Sequence, residues 1–336
     1  MIFAQALASA FHEILKQDPR VVVLGEDIAD PYGGAFKATK GLSTAFPDRV
    51  FSTPVSEAAI TGVSAGLALS GFRPIVEIMF GDFLSLSFDQ ILNHITKYEP
   101  VYNRQVRCPV IVRTPSGGGK GYGPTHSQSL EKFFLGMPNL LVIAASLHHD
   151  PLQIYKQLLS QDYPALYVEH KLLYPRRLIL PDKGRVGELL ASVHISETNF
   201  PTAMLSSVPR EDCVLTIVAY GYQAAVAEEI VKKLAVDEEI FIELVVPSQI
   251  SPVDYSPIRQ SVDMTGRLLT VEEGTAGWSW GTEIAHTIEK QYFGKLRSAV
   301  EVCASESSII PSAKHLEDQM LVHKDKMEKI IRKMLS

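Results

Sequence analysis

Cysteine is scarce in this chain. Among 336 residues there are 3, Cys108, Cys213 and Cys303, far apart and in no CxxC or other metal-binding spacing. They read as reduced, mostly buried thiols of a cytosolic protein. A basic stripe is also lacking: the net charge is -6 with the two signs interspersed, which argues against a nucleic-acid surface. No apolar run approaches the length needed to cross a bilayer. The first residues, Met1-Ile2-Phe3-Ala4-Gln5-Ala6-Leu7-Ala8, lack a cationic leader, so no signal peptide and no membrane partner are expected. A phosphate or divalent-metal loop is missing too. The glycine-rich run Ser116-Gly117-Gly118-Gly119-Lys120-Gly121-Tyr122-Gly123-Pro124-Thr125-His126 fails both phosphate templates, because Gly121 follows Lys120 and no G-x-G-x-x-G frame fits. Gly81-Asp82 is followed by Phe83 with no later Asn pattern, so a diphosphate-magnesium motif is absent as well. What remains, 46% apolar and 21% charged, is ordinary globular composition with material for two α/β cores.

Short apolar runs alternate with longer helical patterns. Residues 21–25, 74–78, 109–113 and 141–144 read as buried strands, and 3–16, 57–69, 83–98 and 151–160 as helices. That rhythm implies a mainly parallel sheet covered on both faces. Between 174 and 210 the chain turns rich in Pro, Ser and charge and reads as a linker with one strand-like stretch. A second α/β set follows, with strands at 214–219, 241–246 and 267–271 and helices at 224–234, 278–292 and 313–334.

Three residues carry the chemical argument. Ser56 is a good helix N-cap and puts Glu57 in the first turn, where the helix dipole favours a carboxylate. On that ground alone Glu57 is a well-placed helix-start residue. The helix behind it, with Ala58, Ala59, Gly62, Ala65, Gly66 and Ala68, is unusually thin, which suits close approach of another backbone or a flat ligand. A carboxylate in such a dry place is suited to proton exchange with a heteroaromatic nitrogen. His126 ends the glycine-rich loop, which reads as a mobile segment over a site or a disordered excursion; the plainer alternative is a capping or solvated histidine. Phe83 follows a strand, and its ring either packs in the core or stacks on a planar cofactor. His148-His149-Asp150 is not a ligand set, because adjacent side chains point apart.

Five motifs occur in order: Tyr32-Gly33-Gly34-Ala35-Phe36, Thr53-Pro54-Val55-Ser56-Glu57, Gly71-Phe72-Arg73-Pro74, Phe88-Asp89-Gln90-Ile91 and His126-Ser127-Gln128. Together they resemble the beta subunits of thiamine-diphosphate-dependent 2-oxo acid dehydrogenases, the group of pyruvate, branched-chain and acetoin enzymes, over nearly the whole chain. Those subunits are similar to transketolase. The resemblance therefore implies an α/β fold. A thiamine-diphosphate-binding pyrimidine-type domain with a doubly wound, mainly parallel sheet spans 1–175. A linker over 176–210 leads to a transketolase C-terminal-like α/β domain over 211–336.

The resemblance also implies roles. Glu57 matches the glutamate that hydrogen-bonds the aminopyrimidine ring nitrogen and exchanges a proton there, Phe83 an aromatic packed on that ring, and His126 the loop histidine that assists decarboxylation or acyl transfer. It implies a partner alpha subunit, in an α2β2 heterotetramer, that holds the diphosphate and Mg2+, so no metal ligand is expected in this chain. It further implies a lipoyl acyltransferase as a component receiving the acyl group and a cytoplasmic enzyme. Some relatives carry a structural potassium ion (K+), held by backbone carbonyls near the segment matching residues 161–164. Departures in the loop (Lys120, Tyr122, Pro124, Thr125) and at Val246-Pro247-Ser248-Gln249 leave the 2-oxo acid and the acceptor open. Two alternatives stand beside the dehydrogenase: a related thiamine-dependent lyase or acyl transferase with a non-lipoyl acceptor, and a catalytically silent interaction subunit.

Overall fold

A computed structural model describes residues 1–181 and 184–336. The strands are β1 (Val21–Gly25), β2 (Val50–Ser52), β3 (Arg73–Glu77), β4 (Ile111–Ser116), β5 (Leu141–Ala144), β6 (Ala165–His170), β7 (Arg185–Val186), β8 (Leu189–Ile195), β9 (Pro201–Ser206), β10 (Leu215–Ala219), β11 (Ile242–Pro247), β12 (Gln249–Ser251), β13 (Leu268–Thr275) and β14 (Glu301–Ser305). They form two sheets, in the orders β12-β5-β6-β4-β3-β1-β2 and β14-β13-β10-β11-β9-β8-β7. In the first, β1 to β6 are all parallel, and only β12 runs against its neighbour β5. In the second, β14, β13, β10 and β11 are parallel, while β9, β8 and β7 extend the edge in antiparallel fashion. β1, β4, β5, β6 and β10 are buried at every position, as strands covered on both faces must be.

Apolar faces decide which helix covers which side. Helix Phe3–Gln17 sets Phe11 against Tyr155 of helix Pro151–Ser160, ring centres 4.9 Å apart, over one face of the first sheet. Helix Glu57–Leu69 covers the other, placing Ile60, Ala65 and Ala68 in a core with Val22, Leu24 and Val76. That core continues into the second half through Met204, Val218, Ile250 and Trp280. With β12 donated back to the first sheet, the two halves share one interior.

The differences from the sequence reading have local causes. Residues 83–98 do not make one helix. A tight turn, Gly81–Ser87, is followed by the wide-turned Gln90–Ile95. There Thr96 bonds the Ile91 carbonyl through both its amide (3.3 Å) and its hydroxyl (3.0 Å), an i to i−5 pattern that opens the helix. The single helix read at 313–334 is two, Lys314–Met320 and Lys324–Leu335, parted where His323 caps the second by accepting from Lys326 N–H. The segment 176–210, read as a linker, carries β7, β8 and β9; Asp182 and Lys183 lie outside the described residues.

At the centre of the first sheet Arg113 on β4 is buried between Glu77 on β3 and Glu169 on β6. It donates from Nε to Glu169 (2.8 Å), pairs with Glu77 through Nη1, and reaches Tyr174 Oη at 3.1 Å. Burial pushes the Glu77 carboxyl up even against the guanidinium. Removing the cation from such a cluster strands two buried acids. Arg113→Met is therefore expected to cost about 3–5 kcal/mol of stability, read as a lower urea midpoint; an unchanged midpoint would show that the cluster is not structural. The three cysteines are free and buried, and burial pushes each thiol up to about 12. In the native protein none should react with a thiol reagent near pH 8, whereas all three should react once the chain is denatured.

Candidate active site

Each sequence-selected residue leaves the same edge of the first sheet, the carboxyl ends of its parallel strands, where ligands bind in open α/β sheets. After β2 the chain passes Pro54 to Ser56, whose extended backbone and side chain cap the next helix by accepting from Ala59 N–H at 3.4 Å. Glu57 is the first helical residue and is buried. No hydrogen bond among the described residues engages its carboxylate. Beside it, directly after β1, stands Glu26, which the sequence reading missed; an acid at the carboxyl end of a buried Val-rich strand was the available signal. Burial and then the neighbouring Glu57 charge push the Glu26 carboxyl up, and its Oε1 is buried with no partner.

Phe83 and His126 come together. After β3, Phe80 and Phe83 meet edge to face at 6.0 Å, and the His126 imidazole packs edge-on against both, at 4.9 Å from Phe80 and 5.3 Å from Phe83. His126 Nδ1 lies 3.0 Å from Thr125 Oγ1. The Glu57 helix is tied to the Phe83 turn by a buried bond from Thr61 Oγ1 to Ser87 Oγ, 3.0 Å. Between the aromatics and the loop, Asp82 Oδ1 accepts from Gln128 N (3.2 Å) and Nε2 (2.8 Å), leaving Oδ2 buried and unpartnered. Three buried acids, Glu26, Glu57 and Asp82, thus present carboxylate oxygens that the described residues leave without a hydrogen-bond partner.

The glycine-rich loop, read as a mobile segment over a site or a disordered excursion, is tied at both ends. Lys171, fully buried just after β6, donates to the carbonyls of Gly117 (2.7 Å) and His126 (2.9 Å), one at each end. Burial pushes its pKa down to about 8 against the pull of Asp82, Glu273, Glu131 and Glu317. Lys120 and Tyr122 lie between these ties, with Tyr122 6.4 Å from Phe80. Neither Lys171 nor the carboxylates that receive the loop amides were legible locally, because they lie far along the chain.

Among the described residues no group of three or more His, Cys, Asp or Glu could hold a metal ion. His148 bonds Glu228 (2.8 Å), His149 lies 2.9 Å from Ser146 Oγ, and Asp150 caps helix Pro151–Ser160, so these three serve the fold. At residues 161–164, where a potassium ion was expected in some relatives, the Gln161 carbonyl accepts from Arg73 Nη1 at 2.6 Å, so a guanidinium already serves that oxygen. A cavity of about 950 Å³ lies elsewhere, between Met137, Tyr255 and Trp278; Tyr163 lines it, but Glu26, Glu57, Asp82, Phe83 and His126 do not. Its lining is mostly apolar, whereas the acids and aromatics gather at the strand ends.

Residues 1–177 match the family described as transketolase, pyrimidine binding domain, and residues 206–327 match the transketolase C-terminal domain. The acetoin:2,6-dichlorophenolindophenol oxidoreductase subunit beta of Cupriavidus necator is 32% identical over 93% of this chain and 91% of its own. The 2-oxoisovalerate dehydrogenase subunit beta of Bacillus subtilis is 33% identical over 99% and 98%. The pyruvate dehydrogenase E1 component subunit beta of Leifsonia xyli subsp. xyli is 32% identical over 99% and 94%. Among solved structures, a split gene transketolase described as an inactive beta4 tetramer superposes with a TM-score of 0.75 at 21% identity, covering 100% of this chain and 99% of that one. It supports the fold.

Lys171 yields a test by pH. Its folded pKa lies below its ordinary value of 10.5, so between about 8 and 10.5 the unfolded chain holds a proton that the folded chain has lost. Stability must rise through that window. Wild type should gain on Lys171→Met as the pH is raised from about 7 to about 10, measured as the difference in urea midpoints. A flat difference would show that the amine is not desolvated.

Proposed function

Since the chain belongs to the transketolase-like family of 2-oxo acid dehydrogenase beta subunits, we propose that it works with an alpha subunit, as an α2β2 heterotetramer, in the oxidative decarboxylation of a 2-oxo acid and passes the acyl group to a lipoyl carrier. The family uses thiamine diphosphate, which when bound supplies the electron sink for decarboxylation. This chain would hold only its aminopyrimidine end; the diphosphate and Mg2+ would rest on the alpha subunit.

The observation that carries this reading is the Glu57 carboxylate, which no donor of its own chain engages among the described residues although the residue is largely buried. It stands at a helix N-terminus at the strand-end edge, open to a group arriving from outside. A heteroaromatic nitrogen fits, because Glu57 can hold or release a proton at that atom. Glu26, whose proton affinity is raised, would keep the pair from carrying two full charges at close range. Phe83 offers a ring face to a planar group, and His126, braced against Phe80 and Phe83, offers an imidazole on the substrate side.

The outer face of helix Glu57–Leu69 supports a partner at this edge. Gly62 and Gly66 have no atom within 4 Å of where a Cβ would stand, and Val63 on the same side is 59% exposed. Val55 just ahead of the helix is 81% exposed, and Phe72 just behind it is also exposed. A thin apolar helix face that its own chain leaves uncovered is what a close subunit contact requires.

Purified together with its alpha subunit, the chain should decarboxylate a 2-oxo acid only when thiamine diphosphate is added; alone it should be inactive. Glu57→Ala in the assembled pair should lower kcat by roughly 10²–10⁴-fold, the usual worth of a general acid–base group. Full activity in that variant, or activity of the chain without the partner, would overturn the proposal.

A further inference from the structure

The loop that carries His126 is fixed from the opposite half of the chain. Gly117, Gly119, Gly121 and Gly123 all have positive φ, between 71° and 85°. Backbone of alternating hand turns successive amides to one side and makes a concavity suited to an anion. Here the anions are side chains. Glu273 on β13 accepts from Gly118 N–H at 2.7 Å, and the two oxygens of Glu317, on helix Lys314–Met320, accept from Gly119 (3.0 Å) and Gly121 (2.8 Å). Burial works against charge on Glu273, but His170, the Gly118 amide and Gln223 hold it down to about 2, so it remains an anion.

Glu317 is the more informative of the two. It is fully buried, and no Lys, Arg or His pairs with it among the described residues. Two loop amides are what satisfies it. An apolar side chain in its place would leave both amides without an acceptor. The fit around it is tight. A Cβ at Gly118 would come within 2.6 Å of Leu321 and 3.2 Å of Glu317 Oε1, and one at Gly123 within 2.5 Å of Ser312 Oγ. The glycines let the loop press onto segment 312–321, and Glu317 determines where its middle lies. Lys171 holds the two ends by their carbonyls. Three side chains, Glu273, Glu317 and Lys171, thus hold the loop that delivers the His126 ring to Phe80 and Phe83.

We propose that Glu317 is a positioning residue for the reaction: by taking the amides of Gly119 and Gly121 it orders the glycine loop and so places His126 against Phe83. This rests on the role given to His126 above. Without the carboxylate, a glycine-rich segment has the most backbone freedom to regain and would spread over several conformations.

The test uses the chain assembled with its alpha subunit. Glu317→Gln keeps the volume but offers one acceptor in place of two. Hydrogen exchange across residues 117–126 should quicken on the order of tenfold. The kcat should fall roughly tenfold with KM little changed, since misplacement of a reacting group costs rate. The melting temperature should hold, and in a His126→Ala background Glu317→Gln should cost nothing further. Three results would overturn the proposal: unprotected Gly119 and Gly121 amides in the wild-type protein, an unchanged kcat in Glu317→Gln while His126→Ala lowers it, or losses that multiply in the double variant. A His126→Ala protein with normal kcat would instead remove the role of His126, and the proposal with it.

Discussion

The direction of the first sheet governs the rest of the molecule. Because β1 to β6 are parallel, every segment that follows a strand opens on one edge. Glu26 leaves β1, Glu57 leaves β2, Phe80 to Phe83 leave β3, the glycine loop leaves β4 and Lys171 leaves β6. Residues up to 145 positions apart in sequence (26 to 171) thereby reach a common place without any long-range design beyond strand order. An antiparallel sheet with the same residues would have sent alternate ones to the opposite edge.

Charge is then distributed in two tiers. Below the edge, Arg113 ties β3, β4 and β6 through Glu77 and Glu169, within a core that water does not reach. At the edge, Lys171 and two acids of the second half hold the loop through backbone dipoles instead of through opposed side chains. The difference has a purpose in physical terms. An ion pair between strands stiffens a scaffold, whereas a carboxylate that receives two glycine amides stiffens a segment in which every second residue lacks a side chain to pack. β12, donated from the second half to the first sheet, and the core running through Ile250 and Trp280 keep the two halves in the relation this clamp needs.

How far the sequence revealed this depends on the range of the interaction. Glu57 was legible because its signals are adjacent: a Pro-bearing extended segment, a Ser cap, then a helix of small residues whose bounds the structure reproduces. Phe83 and His126 were legible as single residues near strand ends, though nothing local told that their rings meet. Lys171, Glu273 and Glu317 were not legible, because each acts on a backbone 45 to 198 positions away and no side-chain pattern marks such a contact. The same limit explains the loop. Four glycines with positive φ read as freedom when seen alone, and become a fixed curve once the receiving carboxylates are known. The helix expected at 83–98 failed for a shorter-range reason, since the Thr96 hydroxyl competes for the carbonyls that regular turns would use.

A buried carboxylate oxygen without a partner is costly unless something arrives to meet it, and this edge has two, Glu26 Oε1 and Asp82 Oδ2, beside the Glu57 carboxylate that its own chain leaves unengaged. In a self-sufficient enzyme the chain would supply the matching donors, as it does for Glu169 through Arg113 and Tyr174. For Glu57, and for Glu26 Oε1 and Asp82 Oδ2, it does not, and the helix beside them bares glycine and valine to solvent. These two features reinforce each other. Polar atoms lacking donors call for a ligand, while an uncovered thin helix calls for another polypeptide. A ligand carried on that polypeptide satisfies both at once, which is the arrangement a shared thiamine site would have. The loop clamp fits the same logic, because under the proposed function it would hold His126 in place before a partner and its cofactor met this edge.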